Sequence, residues 1–141
     1  MRSRFKQFVL VLIVLLASTP LLADDLAGSK TVICSVAQAT RCYFDGDCMT
    51  GPPWNWGIPQ FILIDFDKKT LSTTKASGEN RSTPFKNSER DGNLIFLQGV
   101  EDGRAFSMVI DEEAGMATFA VAADGVSVAA FGACTPMPAP K

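Results

Sequence analysis

The strongest constraint on this chain is a rhythm of turns in its second half. Asp91-Gly92, Asp102-Gly103, Glu113-Ala114-Gly115 and Asp124-Gly125 recur at intervals of about ten residues, between runs rich in Val, Ile, Phe and Ala. Short apolar runs separated by Asp-Gly pairs are the pattern of β-hairpins, because a tight hairpin turn passes through positive φ, which Asp and Gly tolerate. The segment from Asp91 onward therefore reads as an antiparallel β-meander.

A two-residue turn at Asp102-Gly103 sets a register that can be checked for consistency. It places Glu101 opposite Arg104, Gly99 opposite Phe106, Leu97 opposite Met108 and Ile95 opposite Ile110. One face then collects Ile95, Leu97, Gly99, Phe106, Met108 and Ile110, apolar throughout. The other mixes Phe96, Val100 and Val109 with Gln98 and Ser107. Phe106 covers the bare backbone of Gly99, and Glu101 and Arg104 bring opposite charges to the turn. The same treatment of Asp124-Gly125 pairs Val121 with Val128 and Phe119 with Ala130 on one face. The other face pairs Ala122 with Ser127, Ala120 with Ala129 and Thr118 with Phe131, and reads as a lightly decorated outer wall. Upstream, Thr31 to Ala37 and Gln60 to Phe66 read as strands, and Asp67 to Thr70 as a polar turn into Leu71-Ser72-Thr73-Thr74. Lys75 to Arg90 is polar and interrupted by Pro84, which suits a short edge strand or a long loop. The expected fold is all-β, an antiparallel meander closing into a small barrel of about seven to eight strands, with a β-sandwich as the alternative.

The ends carry different information. Arg2, Arg4 and Lys6 precede an apolar run from Phe8 to Ala17, followed by Ser18-Thr19-Pro20 and by Leu21-Leu22-Ala23 before Asp24. Basic, apolar and small residues in that order make a secretory signal, and the run is shorter than the roughly 20 residues of a membrane span. Residues 1–23 are expected to be a signal peptide, 24–135 a single β domain and 136–141 a flexible Pro-rich tail. The expected location is periplasmic or secreted, with no stable membrane insertion after cleavage. Without its leader the chain keeps 10 of its 13 basic residues and all 15 acidic ones, a net charge of −5. A mildly acidic chain without a basic stripe does not suit nucleic acid.

All four cysteines, Cys34, Cys42, Cys48 and Cys134, follow the leader. An even number in an oxidising compartment reads as two disulfides. Three connectivities are possible; the expected one closes the turn-rich Tyr43-Phe44-Asp45-Gly46-Asp47 as a small loop between Cys42 and Cys48, in which case Cys34 and Cys134 join the first strand to the last. A zinc site is disfavoured, since there is no Cys-x-x-Cys pair and no His.

The lack of His also removes the usual catalytic triads and the imidazole base. The most catalytic-looking string is Phe61-Ile62-Leu63-Ile64-Asp65-Phe66-Asp67, whose Asp-x-Asp resembles the nucleophile motif of haloacid-dehalogenase-type phosphotransferases. Lys69 stands where that family places Thr or Val, and a hairpin-rich chain of this length does not supply a doubly wound parallel sheet. Asp45-Gly46-Asp47 and the Asp65, Asp67 pair lack the twelve-residue spacing of a calcium loop and read as turns. No catalytic residue, metal or cofactor is assigned. The most suggestive binding segment is Gly51-Pro52-Pro53-Trp54-Asn55-Trp56-Gly57-Ile58-Pro59, a stiff loop holding both tryptophans. It reads either as an aromatic plug for a barrel end or as a recognition anchor, with one tryptophan expected inside and the other at the rim.

The leader, Cys34 in the first strand, the Asp-Gly meander and the closing Phe131-Gly132-Ala133-Cys134 together resemble small exported bacterial proteins of the lipocalin-like and C-type lysozyme-inhibitor kind. The resemblance is one of layout across the mature chain, and it is shared with many exported proteins of Gram-negative bacteria. It implies a β-barrel outside the cytoplasm. The expected function is a non-enzymatic module that binds a small apolar ligand or a partner protein. The alternatives are a structural envelope protein and a carboxylate-dependent hydrolase using Asp65 and Asp67. A ligand-binding barrel would keep a cavity against the Ile95, Leu97, Phe106 and Met108 face, whereas a structural one would pack it solid. N-terminal sequencing of exported protein is expected to start near Asp24; a mature chain that keeps the Phe8 to Ala17 run would overturn the leader assignment.

Overall fold

A computed structural model describes residues 25–137. The leader assigned to residues 1–23 and the end of the tail, 138–141, lie outside the described residues. Nine strands follow one another: β1 Thr31–Tyr43, β2 Cys48–Gly51, β3 Phe61–Asp65, β4 Thr70–Thr73, β5 Ser82–Asp91, β6 Leu94–Glu101, β7 Arg104–Asp111, β8 Met116–Ala123 and β9 Val126–Pro136. Two short 3-10 turns, Pro53–Trp56 and Lys75–Ser77, interrupt them. All pairings are antiparallel. The order β1-β3-β4-β5-β6-β7-β8-β9 closes on itself through β1 and β9, giving an eight-stranded barrel with β2 as an added strand. A sandwich is ruled out by that closure.

The meander has the expected register at every position named above. Glu101 lies opposite Arg104, Gly99 opposite Phe106, Ile95 opposite Ile110, and Val121 opposite Val128. Asp102 and Gly103 both have positive φ, 47° and 74°, as a type I′ hairpin turn requires. A Cβ on Gly99 would collide with the Phe106 ring, so glycine here makes room for an inward-facing aromatic. The inward faces of the strands supply the core: Val32, Cys34, Val36, Ile64, Phe85, Ile95, Leu97, Met108, Ile110, Phe119 and Ala130 are all buried. Thr118, Ala120, Ala122, Ser127, Ala129 and Phe131 are exposed and form the outer wall.

Two segments depart from expectation. The polar stretch after Lys75 is a short turn followed by the full ten-residue strand β5, not a loop. Its inward positions Thr83 and Phe85 are buried, while the rest of the strand is exposed and polar, so only two side chains carry the strand signal. Pro84 stands beside the register shift between Phe85 and Asn87, the kind of position where a sheet tolerates a missing N–H. The first strand also continues six residues beyond Ala37. A bulge between Val36 and Gln38 shifts its phase by one, so the inward set changes from Val32, Cys34 and Val36 to Ala39 and Arg41. That slip hides the second half of the strand from any reading that looks for uninterrupted alternation.

β1 is unusual in having two partners on one edge. Its first half, Thr31 to Ser35, pairs with β3, and its second half, Ala39 to Cys42, pairs with β2. Its other edge pairs with β9 from Val32 to Tyr43. Cys34 and Cys134 face each other inside the barrel across this seam, 3.9 Å apart at Cα, and are disulfide-bonded. Cys42 and Cys48 staple the β1–β2 hairpin in the same way. Two disulfides of this kind suit an oxidising environment. β9 takes in Pro136, and the Met137 N–H donates to the Thr31 carbonyl at 2.9 Å, so the first residues assigned to the tail are tied to the sheet. No helix among the described residues is long and apolar enough to cross a membrane.

The bridge Cys34–Cys134 closes a chain segment of 100 residues. In the loop-entropy picture, cross-links of that span are among the most stabilising, and removing a native disulfide from a small domain typically costs about 2–5 kcal/mol. The double variant Cys34→Ala/Cys134→Ala is expected to lose that much in urea unfolding, whereas an undiminished stability would show that the β1–β9 seam holds without its covalent bond.

Candidate functional site

The two ends of the barrel are built differently. At the end carrying the β3–β4, β5–β6 and β7–β8 connections, Leu26 is buried, its N–H bonded to the Glu112 carbonyl at 2.8 Å. Ile64, Ile95, Leu97 and Ile110 are also among the fully buried side chains. The opposite end carries the Asp102-Gly103 and Asp124-Gly125 turns, and there the interior contains a cavity of about 260 Å³. Its walls are Ile58, Ile62, Leu71, Phe106, Met108, Phe119, Val121 and Val128, with Thr73, Thr83, Glu101, Arg41, Arg81 and Arg104 adding polar groups. The volume exceeds the roughly 150 Å³ of a cavity known to admit benzene and lies just under the roughly 300 Å³ where drug-sized pockets begin. Of the face singled out in the sequence, Phe106 and Met108 line the cavity, while Ile95 and Leu97 belong to the solid half.

The cavity exists where β1 changes partner. Beside the upper half of β1 stands β2, whose only ladder partner is β1, so between β2 and β4 no sheet hydrogen bonds close the wall. The Pro-Trp loop fills that place. Trp56 is half-buried, packs against the core and donates Nε1–H to the Ala39 carbonyl at 3.4 Å. Pro53 is buried and begins the 3-10 turn, and Gly57 ends it at a φ of 70°. Trp54 points outward and is 59 % exposed. The two tryptophans thus have different places: Trp56 is part of the cavity wall with Gly57, Ile58 and Pro59, and Trp54 is on the surface.

Arg81 holds this loop to the rest of the barrel. Its Nη1 donates to the Gly57 carbonyl at 3.0 Å and its Nη2 to Glu101 Oε2 at 2.9 Å. Thr83 Oγ1 donates to the other Glu101 oxygen at 2.6 Å, and Arg104 approaches Glu101 at 3.9 Å. Burial pushes the Glu101 carboxyl up, but the hydrogen bonds from Thr83 and Arg81, with the charges of Arg81 and Arg104, outweigh it and leave its pKa below the ordinary glutamate value. Sequence reasoning paired Glu101 with Arg104 across the turn. It missed the closer contacts to Arg81 and Thr83, because the polar stretch that becomes β5 carries little strand signal and its register against β6 shifts between Phe85 and Asn87.

Arg41 is the residue sequence reasoning missed altogether. The bulge turns it inward, opposite Val128, where it lines the cavity. Its guanidinium carbon lies 4.9 Å from the Tyr43 ring centroid and 5.8 Å from that of Trp56. Its Nε is buried and has no hydrogen-bond partner, and the guanidinium makes no ion pair among the described residues.

The carboxylates considered for catalysis are elsewhere. Asp65 and Asp67 flank the β3–β4 turn at the closed end, ion-paired with Lys68 at 2.9 Å and with Lys30 at 3.3 Å. The Asp65 Oδ1 also accepts the Lys68 N–H, and these hydrogen bonds lower its pKa. Asp45 Oδ1 accepts the Asp47 N–H at 3.1 Å, which is turn chemistry. Among the described residues no group of three or more Cys, Asp or Glu is arranged to hold a metal ion. Compared with protein-family models, with curated proteins and with solved structures, the chain matches none of them.

Because the Glu101 pKa is lowered on folding, its contribution is fully present above the ordinary glutamate pKa and is lost as the pH falls through the folded value. The stability difference between the native chain and Glu101→Gln is therefore expected to be largest near neutral pH and to shrink on acidification, measured by urea unfolding across the acid range. A difference that grows on acidification would contradict the hydrogen-bonded arrangement.

Proposed function

We propose that this protein is an exported, non-enzymatic β-barrel module that binds a small, largely apolar ligand in the open half of its interior. The observation that carries the reading is the cavity itself. A barrel serving only as an envelope component would gain stability by filling this space, since each unfilled methylene-sized gap costs dispersion and burial energy. Here one half is packed solid and the other keeps a hollow about twice the size of a benzene-binding cavity, with apolar walls and its polar groups gathered at one end. Export, to a periplasmic or extracellular location, is supported by the leader sequence and by the two disulfides. Capture of a partner protein is the second reading, favoured by the exposed Phe44, Met49 and Trp54.

The neutral fluorophore N-phenyl-1-naphthylamine tests the proposal. The native chain is expected to bind it at one site per chain, and Val121→Phe, which fills the cavity, should weaken binding about ten-fold or more while shifting stability by no more than about 1 kcal/mol. Trp54→Ala should leave it unchanged. Failure of the native chain to bind, or equal binding by Val121→Phe, would refute the interior site.

A further inference from the structure

The cavity is not uniformly apolar, and the distribution of its charges identifies the ligand more closely. Three of the four described arginines, Arg41, Arg81 and Arg104, line it, against the single carboxylate of Glu101. This concentration occurs in a chain with an excess of acidic residues. Arg81 and Arg104 share Glu101. Arg41 has no such partner, although its Nε is buried. A buried guanidinium nitrogen without an acceptor is unfavourable, and the cost is offset when an anion supplies one. The guanidinium carbon lies over the rings of Tyr43 and Trp56, cation–π contacts that use none of its N–H groups and so leave its N–H edge for acceptors. Such an edge fits the two oxygens of a carboxylate or of a phosphate ester.

We infer that the ligand is an anionic amphiphile, whose head group is bound by Arg41 beside Tyr43 and Trp56 and whose short alkyl tail runs between Phe106, Phe119 and Val128. This rests on the interior-binding reading above. It adds that the charge of the head group, and not hydrophobicity alone, selects the ligand.

The test is displacement of N-phenyl-1-naphthylamine from the native chain by decanoate, decyl phosphate, decanol and decylamine. Decanoate or decyl phosphate is expected to displace it at concentrations about ten-fold or more below decanol, as a charge-assisted hydrogen bond implies, and decylamine is expected to be weakest. Whichever anion is stronger identifies the head group as carboxylate or phosphate ester. In Arg41→Gln the anions are expected to fall to the level of decanol, with decanol itself unchanged. If decanol matches both anions on the native chain, the head-group assignment fails and the apolar site stands. If none of the four displaces the fluorophore, both fail. If Arg41→Gln still folds and keeps the preference for anions, Arg41 is not the group that reads the charge.

Discussion

The pairing of β1 with β9 turns an open meander into a barrel, and everything else about the molecule depends on it. From Val32 opposite Pro136 to Tyr43 opposite Val126, the first strand meets the last along nearly its whole length. This leaves the β9 edge of the sheet without unpaired backbone and encloses an interior that a flat sheet would not have. It is also the most expensive contact in chain entropy, because it joins residues about a hundred apart, and the Cys34–Cys134 bond reduces that cost by keeping the ends together in the unfolded chain.

The irregularity within this seam explains why the interior is divided. At the bulge, Gly132 approaches Ser35 and Val36 so closely that no Cβ fits there, and the strand passes from one phase to the other. Below it, β1 contributes Val32, Cys34 and Val36 to a solid core. Above it, β1 contributes the small, buried Ala39 and then Arg41, which brings charge to the cavity wall. One extra residue in one strand thus separates a half that stabilises the fold from a half shaped by its polar rim.

Much of the architecture was legible in the sequence because hairpins are local. Asp102-Gly103 and Asp124-Gly125 determine their own registers, and the alternation of Ile95, Leu97, Met108 and Ile110 names the inward face. Of the three possible disulfide pairings, the one in which the turn between Cys42 and Cys48 is closed as a small loop is the one the structure has. What could not be read there is non-local. The ten residues of β5 carry only Thr83 and Phe85 as buried side chains, too few for a periodic signal, and its place is set by Leu71 and Gly99 on neighbouring strands. Arg41 reads as a surface residue until the bulge is known, and the Arg81–Glu101–Thr83 cluster depends on the register of β5 against β6, which shifts between Phe85 and Asn87. The tryptophan loop was legible as a stiff element, but its role as a section of wall depends on β1 changing partner.

The position of the long disulfide also governs how the molecule bears mechanical load. Cys34 lies three residues into the first strand and Cys134 two residues before the end of the last. A pull applied through the two ends of the chain would free Leu26 and Lys30 from Glu112 and Phe66 and strip Thr31 to Ile33 and Thr135 to Met137 from their neighbours before reaching the sulfur–sulfur bond. From there the force passes along a covalent path, and the chain between the two cysteines stays slack. Tension on its ends therefore bypasses the barrel and its cavity, which open only when that one bond is reduced or when heat or denaturant acts on the sheet directly.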